Sequence, residues 1–138
     1  MENIVNAIIL KDNKLLTIKR KIDPWPGMYG LPGGHIEEEE NRIESLKREL
    51  KEEIGLEIKV NGSDFLGIET LRHESREFKI FFYKAEIVGG EEKSQKEEVE
   101  EIKWFGFDDF VQNLKEFKFS PDYIKRISNI AKLGGCHS

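Results

Sequence analysis

Between residues 40 and 54, aliphatic side chains recur at helical spacing. Ile43, Leu46, Leu50 and Ile54 fall on one stripe at about 100° per residue. Gly55 follows directly, where a helix commonly ends in left-handed backbone. The spacing predicts a helix over Glu40–Ile54. Around it the pattern changes to strands. Asn3–Leu10 is apolar and β-branched, Lys11-Asp12-Asn13-Lys14 has turn composition, and Leu15–Arg20 reads as the returning strand of a hairpin. Residues 21–34 hold Pro24, Pro26 and Pro32 with Gly27, Gly30, Gly33 and Gly34, and read as a loop with a short strand near Tyr29–Leu31. Further strands are expected at Glu57–Val60, Phe65–Leu71, Glu77–Val88 and Glu101–Phe105. Within Glu77–Val88, Phe78, Ile80 and Phe82 share one face while Phe81 and Tyr83 share the other, so both faces are expected to be covered. A short helix is expected at Asp108–Leu114. A final one follows Ser120 and Pro121 and ends at Gly134-Gly135. Strands mixed with a few helices give a layered α/β or α+β domain.

The chain has 138 residues, one domain's worth of sequence, and no repeat or linker divides it, so 1–138 is read as a single domain. Nine Phe, three Tyr and two Trp argue against disorder. No apolar run approaches the roughly 20 residues of a membrane helix. No secretory signal is visible at Met1-Glu2-Asn3, and the single cysteine, Cys136, excludes an internal disulfide and a Cys-cluster zinc site. A cytoplasmic location and no membrane partner are the expectations. Net charge is −5, and the acid is concentrated: residues 37–57 hold nine Glu against four basic residues, and 91–101 hold six Glu against two Lys. Bulk acidity argues against nucleic acid as a partner. Concentrated acid is either a solvated surface or a site for hard cations.

The helix carries chemistry as well as packing. Glu49 and Glu53 are i and i+4, and they fall beside the apolar stripe rather than opposite it. Like charges at this spacing repel, and a divalent cation reverses that repulsion. Hard cations such as Mg²⁺ prefer carboxylate oxygens and waters and share them with substrate phosphates. A Glu-rich helix is also a common solvated face, so the spacing of Glu49, Glu52 and Glu53 does not decide between the two. The surroundings add a Pro-Gly-Gly loop, an Arg directly before the first Glu of the group, and a Gly directly after the helix.

With these residues in place, the sequence resembles the Nudix family. Residues 34–56 match the Nudix box, Gly-x5-Glu-x7-Arg-Glu-U-x-Glu-Glu-x-Gly-U with U apolar, at every defined position: Gly34, Glu40, Arg48, Glu49, Leu50, Glu52, Glu53, Gly55 and Leu56. The resemblance implies an α/β (α+β) fold, a mixed β-sheet between helices in an α/β/α sandwich of MutT-like size. It implies metal-dependent hydrolysis of a nucleoside diphosphate linked to another group X, with Mg²⁺ or Mn²⁺ held by Glu49, Glu52 and Glu53. Metals in such a site neutralise the pyrophosphate and lower the pKa of the attacking water. Glu52, Glu49 and Arg48 are the residues expected to carry catalysis. The proton goes to Glu52, to Glu49 or to a Glu from a later loop, and Arg48 either orients a metal-binding Glu or forms a surface ion pair. Glu40 and Gly55 are expected to be structural. Gly33 and Gly34 either face substrate or only turn the chain, and Glu37 is either a peripheral ligand or solvated.

Two undefined positions depart from the commoner pattern: Glu39 stands where many members have Gly, and Leu46 stands near where small Ala residues often pack. Outside the box, Glu98 precedes Trp104 in a Glu-x5-Trp stretch that resembles one whose Glu often reaches the metals. Glu98 is therefore the candidate fourth ligand, with Glu97 and Glu101 as the alternative registers and an exposed acidic loop as the other reading. Arg20 meets substrate phosphate or belongs to a solvated basic turn. Trp25 and Tyr29 stack on a base or pack, and packing is the commoner fate. His35 and His73 receive no role. Some ADP-ribose hydrolases carry a Pro, and some dinucleoside polyphosphate hydrolases a Tyr, a short way past the box; this chain has Thr70-Leu71-Arg72-His73 there. A nucleoside triphosphate, normal or oxidised, is thus the expected substrate, with a nucleotide sugar or ADP-ribose second. A non-catalytic nucleotide sensor of the same fold is the reading from another class, although the intact box speaks against it. A homodimer is compatible with the family.

Overall fold

Helix α1 spans Arg42–Ile54 in the computed structural model, which describes residues 1–22, 26–94 and 97–106. It opens two residues later than its spacing predicts. Asn41 is the N-cap, in extended backbone, and its side chain accepts the Glu44 backbone N–H at 2.8 Å. Glu40 therefore lies in the loop ahead of the helix. Gly55 closes the other end at φ 77°, its N–H reaching the Leu50 and Lys51 carbonyls. Leu46, Leu50 and Ile54 are fully buried. Ser45, Glu49 and Glu53 are buried as well, a second row displaced by one residue from the aliphatic one.

The N-terminal hairpin consists of β1 (Glu2–Ile8), β2 (Leu10–Lys11) and β3 (Lys14–Arg20). Asp12 and Asn13 turn it, at φ 52° and 63°, the paired left-handed residues that a tight hairpin needs. Strands β4 (Tyr29–Gly30) and β5 (Gly33–His35) follow within the loop ahead of the helix. After it come β6 (Leu56–Lys59), β7 (Phe65–His73), β8 (Arg76–Lys84), β9 (Glu86–Gly90) and β10 (Val99–Gly106). One sheet runs β5-β1-β8-β7 and is mixed, because β1 and β8 are parallel while the outer pairs are antiparallel. A second sheet runs β10-β3-β2, with β4 also on β3, and β6 pairs with β9.

The single strand expected over Glu77–Val88 is two strands. After Lys84 the Ala85 N–H bonds the Ile8 carbonyl at 3.1 Å, and β9 leaves to pair with β6. Both faces of β8 are nonetheless covered, as its composition predicts. Phe78, Ile80 and Phe82 join Ile8, Leu15, Tyr29, Leu31 and Phe105 in one core. Tyr83, with Phe81 against the cluster, joins Val5, Ala7, Ile9 and the helix's Leu46, Leu50 and Ile54 in the other. The fold is α+β, with a mixed sheet and one helix among the described residues. The helices expected at 108–114 and after Ser120, and with them the second helical layer, lie outside the described residues, as do Trp25 and Cys136. No helix among the described residues is long and apolar enough to cross a membrane.

At the start of the β1–β8 pair, Glu2 accepts from Arg76 Nε at 2.7 Å and Nη2 at 2.5 Å, and His35 Nε2 lies 2.9 Å away. The Arg76 bonds, followed by that of His35, hold the Glu2 carboxyl down at about 2, against an ordinary 4.5. An acid depressed in the folded state stabilises the fold above its unfolded pKa and loses that contribution as pH falls through its folded value. The Tm difference between the wild type and Glu2→Gln is therefore expected to be full above about pH 5 and to vanish near pH 2. Melting curves across that range check it, and a difference that does not change with pH contradicts it.

Candidate active site

A cavity of about 310 Å³ opens between the acidic row of α1, strand β5, and the faces of β1 and β8, within the size range of small-molecule sites. Glu37, Glu49, Glu53, Glu98, Arg20 and Arg76 line it together with the apolar Ile4, Leu31, Phe78 and Ile80, and the Arg76 guanidinium lies 4.9 Å from the centre of the Phe78 ring. The helix places Glu49 and Glu53 there because they lie beside the aliphatic row that anchors it. Their residue exposures are only 8% and 4%. Two carboxylates one turn apart at this depth require compensating positive charge or donors.

Part of the compensation comes from β5. The Gly33 N–H donates to Glu53 Oε1 at 3.1 Å. Gly33 sits at φ 149°, and a Cβ there would lie 2.0 Å from the Val5 carbonyl oxygen. A Cβ on Gly34 would lie 2.5 Å from Glu49 Cδ. Both glycines line the cavity, so here the turn and the wall of the site are made by the same residues.

Arg48 also contributes. Its Nε donates to Glu40 Oε2 at 2.8 Å, and its Nη1 donates to Glu49 Oε1 at 2.9 Å and to Glu52 Oε2 at 3.1 Å. Its Nη2 reaches the His35 carbonyl at 3.4 Å and lies 3.6 Å from Glu37 Oε1. The bond that Arg48 donates to Glu40, then that to Glu49, raises the Arg48 pKa still further, and the same bond lowers that of Glu40. Glu40 also accepts from Ser45 Oγ at 2.9 Å. The guanidinium thus ties the loop ahead of the helix to the carboxylates on it.

The other predicted residues divide. Glu52 is 44% exposed at its side chain, bound to Arg48 and outside the cavity lining. Glu98 does line the cavity, because the Lys21 N–H holds the Glu98 carbonyl at 2.9 Å beside the end of β3, which also carries Arg20. Glu97 is exposed, and Glu101 accepts the Tyr29 hydroxyl at 3.0 Å. Tyr29 is buried edge-on against Phe105, with ring centroids 5.0 Å apart, so it packs. Two polar lining residues, Asn6 and Arg76, are not among those expected from the sequence. Their common signal is strand register, since Asn6 pairs with Gly33 and Arg76 begins the strand parallel to β1.

Among the described residues, no three His, Cys, Asp or Glu side chains stand close enough together to hold a metal ion. The donor chemistry fits a hard divalent cation all the same: buried carboxylates face a cavity, and a guanidinium provides counter-charge to Glu49 and Glu52.

Comparison with known proteins agrees with this geometry. Residues 2–127 match the NUDIX domain. The chain is 34% identical over 122 residues to an ADP-ribose pyrophosphatase from Methanocaldococcus jannaschii, covering 87% of this chain and 68% of that protein. It is 33% identical over 132 residues to an 8-oxo-dGTP diphosphatase from Buchnera aphidicola, covering 95% and 94%. The crystal structure of a MutT NUDIX hydrolase from Burkholderia pseudomallei superposes with a TM-score of 0.72 at 28% identity, covering 78% of this chain and 84% of that one. The fold, the box helix and these relatives agree: the chain belongs to the NUDIX family and is a Nudix hydrolase.

Proposed function

We propose that this enzyme cleaves the P–O–P link of a nucleoside triphosphate, normal or oxidised, releasing a nucleoside monophosphate and pyrophosphate. The observation that carries the reading is the cavity itself, which is lined by a buried acidic row together with apolar side chains. Glu49, Glu52, Glu53 and Glu98 would hold Mg²⁺ or Mn²⁺. A divalent ion at such a site offsets phosphate charge and lowers the pKa of water. The Gly33 N–H fixes one oxygen of Glu53. Arg48 is a positioning residue for Glu49 and Glu52, and Glu40 holds Arg48 in turn. The proton of the attacking water goes to Glu52, to Glu49 or to a Glu from a later loop. Arg20 lines the cavity, where it suits phosphate oxygens.

The 8-oxo-dGTP diphosphatase likeness spans nearly the whole of both chains, which favours the triphosphate. The ADP-ribose pyrophosphatase likeness, at 34% identity, favours ADP-ribose as the second reading. The test is kcat/KM across dNTPs, 8-oxo-dGTP, ADP-ribose and sugar nucleotides with Mg²⁺ or Mn²⁺. Preference for a triphosphate supports the proposal, and preference for ADP-ribose or a sugar nucleotide overturns its substrate half.

Gly34→Ala probes the wall. The added methyl meets the flexible end of Glu49 rather than backbone, so the fold should hold while the carboxylate is displaced. The expected loss in kcat is about 10- to 100-fold, comparable to disturbing the support of a ligand, with little change in Tm. Unchanged kcat contradicts a role for Glu49 at this position.

A further inference from the structure

Asn6 is the polar exception in an apolar row. Along β1 it lies between Ile4 and Ile8, on the face that meets Phe78, Ile80 and Leu31. It is 2% exposed, and among the described residues no hydrogen-bond partner reaches its Nδ2. Leaving a buried amide donor unmatched destabilises a fold, whereas an apolar residue of similar shape there would be neutral or better. Such an exception to an otherwise consistent core is characteristic of a functional site.

Its location says which site. Asn6 lines the same cavity as Glu49 and Glu53, and it pairs in register with Gly33, whose N–H holds Glu53. One cavity thus holds Asn6, the acidic row and apolar side chains. A phosphate belongs with the cations and the acidic row. The apolar lining residues Ile4, Leu31, Phe78 and Ile80 suit the flat face of a ring. The χ2 torsion of Asn is soft and roughly two-fold, so a turn of the amide alone offers Nδ2 to an acceptor in the cavity.

We propose that Asn6 is a specificity-determining residue: its amide N–H donates to a carbonyl oxygen on the edge of the nucleobase, which selects oxo-bases (guanine, 8-oxoguanine and the pyrimidines) over adenine. Adenine carries no carbonyl and offers only ring nitrogens as acceptors. This inference rests on the nucleotide-hydrolase reading and deepens it.

The test measures kcat/KM for dGTP, 8-oxo-dGTP, dCTP and dATP in the wild type, Asn6→Leu and Asn6→Asp, together with Tm. In the wild type at least one oxo-base nucleotide is preferred to dATP. A site built to donate to a substrate group loses discrimination when the donor is removed, so Asn6→Leu should lose about 10- to 100-fold on that nucleotide and little on dATP. Asn6→Asp, which removes the donor and adds buried charge, should lose at least as much. Asn6→Leu should also melt at the same temperature as the wild type or higher. A purely structural amide predicts the reverse: lower Tm and equal losses on all bases. Unaltered base preference in a folded Asn6→Leu enzyme overturns the inference while leaving the hydrolase reading intact. Absence of turnover of any nucleotide by the wild type defeats the reading beneath it instead.

Discussion

Glu53→Gln is expected to lower kcat on the order of 10³-fold, the scale of removing several kcal/mol of electrostatic assistance at a phosphoryl centre. The substitution changes little else. Its amide oxygen can still accept the Gly33 N–H that now holds Glu53 Oε1 at 3.1 Å, and its volume is the same. It also removes one of two buried negative charges one helical turn apart, a pair whose repulsion the folded protein must offset. Tm should therefore stay the same or rise as activity falls. Thermal melts beside steady-state kinetics separate the outcomes. A kcat near the wild-type value removes Glu53 from the site, and a joint collapse of Tm and kcat makes it a structural residue.

Gly33→Ala should act through the fold. Its Cβ would lie 2.0 Å from the Val5 carbonyl oxygen and 2.9 Å from the Asn6 Cα, both backbone atoms of the paired strand, at a φ of 149° that L side chains rarely adopt. The strain and the overlap together suggest a cost of about 3 kcal/mol or more. For a domain of this size that is roughly a 10 °C fall in Tm. Relief requires β5 to move away from β1, which also withdraws the Gly33 N–H from Glu53. Circular dichroism melts report the loss. A wild-type Tm would mean that β5 does not hold this close register. The contrast with Gly34→Ala is diagnostic, because there the clash is with a movable side chain and the loss should be kinetic.

Legibility in the sequence followed how local each determinant is. The helix was readable because Leu46, Leu50 and Ile54 repeat within one element, and the acidic row came with it at a displacement of one residue. Its start was misplaced by two residues because Glu40 is as good a helix former as Glu44. Only the Asn41 side chain, bonded to the Glu44 N–H, sets the boundary. The hairpin turn was readable from Asp12 and Asn13. The break after Lys84 was not, because Glu77–Val88 is continuously strand-like. What ends β8 is a long-range bond from Ala85 to Ile8 and the departure of β9 to β6.

The same division holds for the site. The Arg48 network was foreseeable in kind, since Arg48 stands one and four residues from Glu49 and Glu52. Its grip on Glu40, eight residues back across the helix start, depends on how the loop folds over α1. The Glu98 segment reaches the cavity only because it hydrogen-bonds the end of β3. Asn6 looks like an ordinary strand residue until the β1–β5 register sets it opposite Gly33. Residues distant in sequence become neighbours through strand pairing, and one sequence does not display that register.

We expect the acidic cavity to hydrolyse a nucleotide pyrophosphate link with a divalent ion. The most direct measurement follows dGTP and 8-oxo-dGTP by ³¹P NMR with the purified protein, in Mg²⁺ and then in excess chelator. A nucleoside monophosphate and pyrophosphate are the expected products in Mg²⁺, with no cleavage in chelator. Cleavage that continues unchanged in chelator, or a protein that binds these nucleotides with Mg²⁺ or Mn²⁺ and cleaves none of them, would contradict it.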